Sequence, residues 1–471
     1  MTVVPNSERP DAPPGGRGAT MSAPDVRRVL RLAMRVAIAM LASGAQTDDV
    51  ESAIDTTARA YGIVPIQRSV TFSGIAISHD DPTDGRPPTT LLYTVPERVS
   101  DFARLATTAS VVRRIKTGDL AISQAEVALD ELDRQPPPYG PAISFAAPAI
   151  SAAGSTVVFG GAPLDAVATL VVALVIQPAL SGLDRSTLPP FFRTFVGVAA
   201  STLLVALLVG LGLPIVGGLV LTGSLLRFLP GYALVSGFRD LIDQSIISGS
   251  ARLAEALLLG AGAAAGIALA LLGAGSLGVH LALVKAGPEE WGAPVAGIAA
   301  LLAVGGYAVR VGDPPSAAAS ASLLGAIAWI AVIRMGDGGI DPAVATLVSA
   351  LAIGVVSRTI SVRFQAPAAL WAVPAVLPLL PGLQIVEALL APTDAARAVG
   401  LVGAAGTAFL IGAGVASGDI VVTTLRRMRA RVTPAIDSVT TGFEVNVIAP
   451  VDRYVRERAG SVLNPRDRED G

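Results

Sequence analysis

Ten long apolar segments follow one another in the C-terminal part of this chain, and they constrain the fold more than any other feature. Most have about the 20 residues that a transmembrane helix needs to cross a bilayer. Hydrophobic residues make up 52% of the sequence and charged residues 15%, which is too apolar for a soluble protein. We therefore predict an α-helical membrane protein with ten transmembrane helices. The predicted spans are 142–160, 164–183, 191–211, 213–236, 252–284, 291–309, 316–333, 342–357, 366–390 and 398–424.

Composition excludes several kinds of chemistry. The chain has no cysteine, so it can form neither a disulfide nor a zinc-thiolate site. Its two histidines, His79 and His280, are too far apart in sequence to suggest a histidine metal site. A net charge of −2, without Lys and Arg clustered on one face of a soluble domain, argues against nucleic-acid binding. We expect no cofactor, no metal and no nucleic-acid partner.

The N-terminal region differs from the rest of the chain. Residues 25–135 carry mixed charge and no apolar run long enough to span a bilayer, which predicts a small soluble α+β domain. Its pattern indicates two helices, a β-hairpin built from residues 63–78 and 89–95, and two further helices. Residues 1–24 have the composition of a disordered tail and lack the apolar core of a signal peptide, which predicts a cytoplasmic N-terminus.

The distribution of basic residues agrees with ten spans. With a cytoplasmic N-terminus, arginines concentrate in the inner loops and in the polar tail at 426–471. The outer loops keep only Lys285, Arg334 and Arg397. Because cytoplasmic loops of membrane proteins carry an excess of Lys and Arg, we predict that both termini are cytoplasmic.

The membrane part contains an internal repeat. LRFLPGYALV at 226–235 is echoed by LPLLPGLQIV at 377–386, and each Leu-Pro-Gly falls in the fourth of five predicted spans. Because five is odd, we predict two inverted five-helix repeats, at 141–285 and 286–425. Interrupted helices at matching positions are typical of secondary transporters; the alternative is that each Pro-Gly pair only kinks a helix. Candidate substrate-path residues at the breaks are Pro230, Gly231, Pro381, Gly382, Gln384 and Glu387.

Charged residues follow the first Pro-Gly pair, between two long apolar runs. They are Arg239, Asp240, Asp243, Arg252 and Glu255. We assign them to a substrate or proton path, because charges next to membrane segments at an interrupted helix mark such paths. The alternative is an ordinary cytoplasmic loop at 237–251, in which Arg239 and Asp243 form an i,i+4 pair and Arg252 reaches the headgroups.

Arg227 lies inside the apolar run that precedes the first break. An arginine at membrane depth costs at least about 2.5 kcal/mol on insertion scales. We therefore predict that Arg227 faces a cavity or the helix break and include it in the substrate path. The alternative is that it extends to the inner surface of the membrane.

These residues together resemble the threonine/serine exporters, a family of ten-span bacterial membrane proteins with a cytoplasmic N-terminal domain. The likeness covers roughly residues 25 to 425. In the N-terminal domain it is carried by Ser43, Gly44, Ala45, Thr47, Val50, Glu51, Gly62, Gly118, Glu126, Ala128 and Leu129. In the membrane part it is carried by Pro230, Gly231, Arg239, Asp240, Ser248, Gly249, Arg252, Glu255 and Ala256. The resemblance implies export of threonine and serine, driven by the proton gradient, without ATP or a bound cofactor.

The chemistry of such a substrate gives the charges a role. A threonine zwitterion needs partners for its carboxylate, its ammonium and its hydroxyl in a dry site, which arginine, aspartate and freed backbone groups can supply. Proton coupling needs a carboxylate that can take up a proton, and Asp240 and Glu255 are the candidates.

The chain departs from the family pattern at three places. Arg227 stands where we expect an apolar residue or proline, Asp243-Gln244 replaces a small pair, and no Arg-Asp follows Pro381-Gly382. These departures bear on the substrate more than on the transport class.

The sequence thus predicts an exporter of small neutral amino acids, driven by protons, in the bacterial plasma membrane. Its expected partners are the amino-acid substrate, protons and the lipid bilayer, with a homo-oligomer as a further expectation. Two alternatives stay open. One is a membrane-tethered hydrolase whose soluble domain acts on a substrate and whose membrane part releases the product; the other is a passive channel.

Overall fold

A computed structural model describes residues 23–80, 87–95, 99–132, 134–228, 231–279, 281, 292–391 and 393–432. The chain forms two compact units. The first contains the described residues up to 136, except for the short piece 101–103, which groups with the second. We call the first unit the N-terminal domain and the second the helical body.

The N-terminal domain is an α+β unit in which a three-stranded antiparallel sheet, ordered β1-β2-β3, accompanies four helices. Its α1 packs against α2, α4 and the strands β2 and β3. Ile75 and Ile77 on β2 are fully buried, together with Leu30 of α1 and Ile54 of α2. The elements are α1 (Ala23–Ala42), α2 (Thr47–Ala60), β1 (Gln67–Val70), β2 (Gly74–His79), β3 (Thr89–Thr94), α3 (Phe102–Lys116) and α4 (Ile122–Leu132).

The predicted hairpin is partly confirmed. β2 and β3 pair in antiparallel register, with Ile75 opposite Tyr93. The prediction of one continuous first strand is wrong, because the chain turns between β1 and β2. The backbone N–H of Thr71 donates to the carbonyl of Gly74, and the Thr71 hydroxyl contacts the same glycine. Residues 81–86 of the predicted turn-rich link lie outside the described residues.

The helical body consists of twelve described helices and one short 3-10 turn. Within the described residues, eight of these helices are long and apolar enough to cross a membrane, or nine spans if one bent pair counts as a single span. The helices are α5 (Pro141–Val158), α6 (Pro163–Asp184), α7 (Pro190–Gly210), α8 (Gly217–Leu225), α9 (Gly231–Ile242), α10 (Ile246–Ser276), α11 (Gly292–Arg310), α12 (Pro315–Asp337), α13 (Pro342–Phe364), α14 (Ala369–Ala375), α15 (Gly382–Leu390) and α16 (Asp394–Val432).

The two predicted segments that contain Leu-Pro-Gly are each divided into shorter helices. Predicted segment 366–390 becomes α14, the 3-10 turn Leu377–Leu379 and α15, with a bend of 42° at the break. Predicted segment 213–236 contains α8 and the start of α9, and residues 229–230 between them lie outside the described residues. Proline removes a backbone donor and clashes with the preceding turn, so a break at these positions is the expected result. The count of ten spans stays a prediction.

The link between α9 and α10 is shorter than the predicted loop at 237–251. The i,i+4 contact between Arg239 and Asp243 is present at 3.6 Å, and the cytoplasmic position of the link stays a prediction. α9 continues to Ile242 and α10 begins at Ile246, so only three residues separate the two helices. The backbone N–H of Ser245 donates to the carbonyl of Asp240, and Gln244 adopts a left-handed backbone with φ of 64°. A hydropathy profile predicts loops where charged residues occur. Here charged residues lie within packed helices because ion pairs compensate their charges.

The helical body has a first half, α5 to α10, and a second half, α11 to α16, and helices at the same position in each half pack against equivalent neighbours. α10 packs on α7 in the first half, and α16 packs on α13 in the second. The halves meet where α5 packs on α11, with small residues at the contact. A Cβ added to Gly306 would lie 2.5 Å from the carbonyl oxygen of Ala147, and the Ser151 hydroxyl donates to the carbonyl of Ala303 at 2.8 Å. This pairing agrees with a repeat, while its inverted orientation in a membrane stays a prediction.

Candidate functional site

A buried ion pair links the two helices that follow the first break. Arg252 on α10 places its Nε 2.7 Å from Oδ2 of Asp240 on α9. Both residues are only 3% exposed. Charges removed from water to this degree are costly unless they are paired, so each of the two residues requires the other.

A second group of ion pairs connects three helices. Arg239 on α9 donates from Nη2 to Oδ2 of Asp419 on α16, at 2.7 Å. The other carboxylate oxygen of Asp419 lies 3.0 Å from Nε of Arg358 on α13. Asp419 therefore connects one arginine of the first half with one of the second.

The remaining members of the predicted charged stretch lie at the edge of these pairs. Asp243 has an oxygen 3.6 Å from Nε of Arg239, which is a looser i,i+4 contact. Glu255 lies on the exposed side of α10. The structure thus joins Asp240 and Arg252 in a buried pair and places Arg239 in a part-buried pair with Asp419, with Asp243 beside Arg239 and Glu255 outside both pairs.

The predicted residues of the second break lie beside a groove between α15 and α16. Pro381 directly precedes α15, and Gly382 is its first residue. The Thr407 hydroxyl of α16 donates to Oε1 of Gln384 at 3.0 Å, and Glu387 lines the same groove. In the first break, Pro230 lies outside the described residues, and Gly231 is the first residue of α9.

Arg227 lines a cavity within the helical body, and its place in a substrate path stays a prediction. The cavity lies among α5, α6, α7, α8 and α11, and its clear interior has room for about one water molecule. Arg227 donates to Oε1 of Gln177 on α6. Tyr307 and Arg310 of α11 complete the lining, so both halves of the body contribute to it.

A buried carboxylate lies in the loop between α11 and α12. Asp313 is fully buried, and among the described residues neither of its carboxylate oxygens has a hydrogen-bond partner. Burial raises the pKa of this carboxyl well above its usual range. In the part of the chain that the structure describes, no group of three or more His, Cys, Asp or Glu residues is placed to hold a metal ion.

Two family models and two relatives match this sequence. The ThrE family model, described as "Putative threonine/serine exporter", matches residues 31–273. A second model, "Threonine/Serine exporter, ThrE", matches residues 296–425. A Mycobacterium tuberculosis (strain ATCC 25618 / H37Rv) protein named "Probable threonine/serine exporter" is 31% identical over 422 residues, covering 86% of this chain and 78% of the relative. This chain belongs to the threonine/serine exporter family.

A second relative in the threonine/serine exporter family agrees with this assignment. The "Threonine/serine exporter" of Corynebacterium glutamicum is 27% identical over 420 residues, covering 85% of this chain and 84% of the relative. No solved structure was found to match the chain. The predicted resemblance to threonine/serine exporters is therefore confirmed, and the apolar helices of the body make this family member a multi-pass membrane protein.

In this member of the threonine/serine exporter family, sequence reasoning missed Asp419 and Arg358 of the ion pairs and Arg310 of the cavity lining. Asp419 lies inside the predicted span 398–424, and Arg358 follows the predicted span 342–357. A carboxylate within an apolar segment is by default a candidate functional residue, so Asp419 could have been found from the sequence. Arg310 at the end of α11 carries no such signal, because an arginine at a helix end is ordinary.

Proposed function

We propose that this protein is a secondary active exporter of threonine, serine or similar small neutral amino acids, driven by proton influx across the bacterial plasma membrane. The observation that carries the proposal is the ion pair between Arg239 in the first half and Asp419 in the second. Ion pairs between two halves can be exchanged for substrate groups when the halves move. The names of the two relatives support the substrate class.

A zwitterionic amino acid has the charges needed to take part in such an exchange. Its ammonium can replace an arginine beside Asp419, and its carboxylate can replace an aspartate beside an arginine. The replacement keeps every buried charge paired, which is the condition for moving charges through a dry interior. A solute without both charges would leave one member of a pair uncompensated.

Proton coupling requires a carboxylate that alternates between two partners. Asp240 has Arg252 as its partner in the present arrangement. If α10 moves away from α9, a proton can take the place of the arginine as the counter-charge, which links proton uptake to helix movement. Glu255, exposed on α10, is the second candidate for this role.

The proposed membrane arrangement has ten spans with both termini in the cytoplasm. In that arrangement the polar link between α9 and α10 and the C-terminal end of α16 lie on the cytoplasmic side. The Arg239–Asp419 and Arg252–Asp240 pairs then close the cytoplasmic side of the substrate path. A homo-oligomer is compatible with this arrangement and is not required by it.

The test is transport by the purified full-length protein in liposomes. Labelled threonine is followed with and without an imposed pH gradient, for the wild type and for Asp240→Asn, Glu255→Gln and Asp419→Asn. Asp337→Asn, in an exposed pair with Arg334, is the matched control. We expect saturable, gradient-dependent transport that falls at least about tenfold in Asp419→Asn and in one of the two proton-carrier variants, and that is unchanged in the control.

The same measurement separates the alternatives. A passive channel would move threonine without saturation and without a response to the pH gradient. A membrane-tethered hydrolase would leave threonine transport at the level of empty liposomes and would release product from small peptides. Either result would contradict the proposed exporter.

A further inference from the structure

Five arginines near the helix breaks and the cavity fall into two groups according to their partners. Arg239, Arg252 and Arg358 each lie within 3.0 Å of an aspartate oxygen, so their charges are neutralised. Arg227 and Arg310 line one cavity, and among the described residues no carboxylate lies within 4.0 Å of either guanidinium. Neither guanidinium therefore forms an ion pair within the described residues.

Local contacts hold these two guanidiniums without neutralising them. Arg227 bonds to the neutral amide of Gln177 and lies over the ring of Phe228, 5.4 Å from its centroid. Arg310 lies 5.8 Å from the centroid of the Tyr307 ring. Asp184, at the end of α6, is near enough for its charge to act on Arg227 without forming an ion pair. The cavity therefore presents a net positive charge in an apolar surrounding.

We propose that this cavity is a carboxylate-binding site on the path of the transported amino acid, separate from the ion pairs, with Arg227 as the direct partner and Arg310 at the mouth. The inference rests on the proposed function and deepens it. Arginine binds carboxylates with two parallel hydrogen bonds, and such bonds are strong where water is excluded. Arg227 is half-buried beside the first helix break, whereas Arg310 is exposed.

Three serines add groups for the rest of the substrate. Ser151, Ser201 and Ser224 line the cavity from α5, α7 and α8. Each hydroxyl donates to a backbone carbonyl, on its own helix for Ser201 and Ser224 and on α11 for Ser151. Their oxygens therefore keep lone pairs that can accept hydrogen bonds from the ammonium and hydroxyl of a small amino acid.

The cavity also indicates that this arrangement is closed around the site. Its clear interior has room for about one water molecule, so the lining must separate before a whole amino acid can enter. α11 supplies Tyr307 and Arg310 from the second half, while the other lining residues named here belong to the first. Movement of one half against the other therefore opens and closes the site.

The test compares threonine with threoninol, which lacks the carboxylate, as inhibitors of labelled threonine uptake in liposomes. In the wild type we expect threoninol to inhibit at least about tenfold more weakly than threonine. The inhibition ratio is the inhibition constant of threoninol divided by that of threonine. In Arg227→Gln we expect the KM for threonine to rise about tenfold and this inhibition ratio to fall toward one. Arg227→Lys should retain part of the ratio, because it keeps the charge and loses the paired donors.

Two further variants keep the test decisive. Arg310→Gln changes an exposed side chain, so its fold should be unaffected, and we expect the inhibition ratio to fall severalfold. Arg334→Gln, at an exposed end of α12, should leave both KM and ratio unchanged. An arginine that only stabilises the fold or binds lipid phosphate would change the amount of active protein and not the ratio. An unchanged ratio in both Arg227→Gln and Arg310→Gln would overturn the inference while the exporter function stands.

Failure of the exporter function would be recognised separately. If the wild type moves no threonine or serine, the thermal stability of the detergent-purified protein is measured with acetate, threonine and succinate, against sodium chloride at equal ionic strength. Stabilisation of the wild type by a carboxylate, lost in Arg227→Gln, would support the site for another carboxylate solute. No stabilisation of the wild type, or equal stabilisation of both proteins, would refute it.

Discussion

The buried Asp240–Arg252 pair requires both of its members. Removal of one charge leaves the other in a dry interior without compensation, at a cost of about 3–5 kcal/mol. Asp240→Asn should therefore lower the apparent Tm of the purified protein by several degrees, and the double variant Asp240→Asn, Arg252→Gln should recover part of the loss. The exposed Arg334–Asp337 pair gives the control, because Asp337→Asn should change stability by less than about 1 kcal/mol. Additive losses in the double variant would contradict the pairing.

Asp313 should make stability depend on pH. Because its folded-state pKa is raised, the folded protein keeps a proton that the unfolded chain releases. Below the usual pKa of aspartate, the bound proton makes its full contribution to the free energy of unfolding. This contribution is lost as pH rises toward the folded-state pKa, by about 1.4 kcal/mol per pH unit. Asn cannot ionise, so Asp313→Asn should match the wild type near pH 4 and become progressively more stable than it at higher pH. Apparent Tm values across pH 4 to 8 test this, and a difference that is constant with pH would refute it.

At the scale of elements, the approach of α13 to α16 depends on glycine. A Cβ added to Gly354 would overlap the carbonyl oxygen of Val415, and one added to Gly418 would lie 2.5 Å from that of Leu351. Arg358 is one turn beyond Gly354, and Asp419 follows Gly418 directly, so the same contact sets the distance between these two charges. Backbone contact between the helices thus positions an ion pair of the candidate site.

Gly354→Ala should force α13 and α16 apart and weaken both packing and transport. We expect a loss of about 1–3 kcal/mol, because overpacking a tight contact shifts the backbone. Gly260→Ala on α10 is the matched control, since nothing lies within 4 Å of its added Cβ and alanine is the better helix former. The measurements are apparent Tm and threonine uptake, and equal stability of the two variants would show that the helices can adjust.

For the whole molecule, the number of spans can be tested by cysteine labelling, because the natural chain has no cysteine. With ten spans and a cytoplasmic N-terminus, Ile340→Cys between α12 and α13 is external and should react with a membrane-impermeant maleimide in intact cells. Leu164→Cys is the external control and Thr187→Cys the internal one. If α8 and α9 together do not cross the membrane, the position of Ile340 changes side and its label is lost while that of Leu164 remains.

Much of the architecture follows from local sequence patterns. The lengths of the apolar segments predicted the eight long helices, and the Leu-Pro-Gly motif predicted the break before α15. The same patterns misplaced Arg239 and Asp240 in a loop, because hydropathy counts a charge as polar even when it has a buried partner. The partner of Arg239 is 180 residues away in the chain, which no local pattern can reveal. The functional importance of these residues stays a prediction from sequence and from chemistry.

The sequence by itself determined that this is a multi-span membrane protein of the threonine/serine exporter family, since apolar length and family motifs are properties of the chain. Only the tertiary structure decided which charges compensate one another. Arg252 and Arg239 have aspartate partners, while Arg227 and Arg310 line a cavity that lacks an ion-pair partner for either among the described residues. The physical reason is that hydrophobicity acts residue by residue, whereas an ion pair depends on a distance that exists only after distant helices have packed.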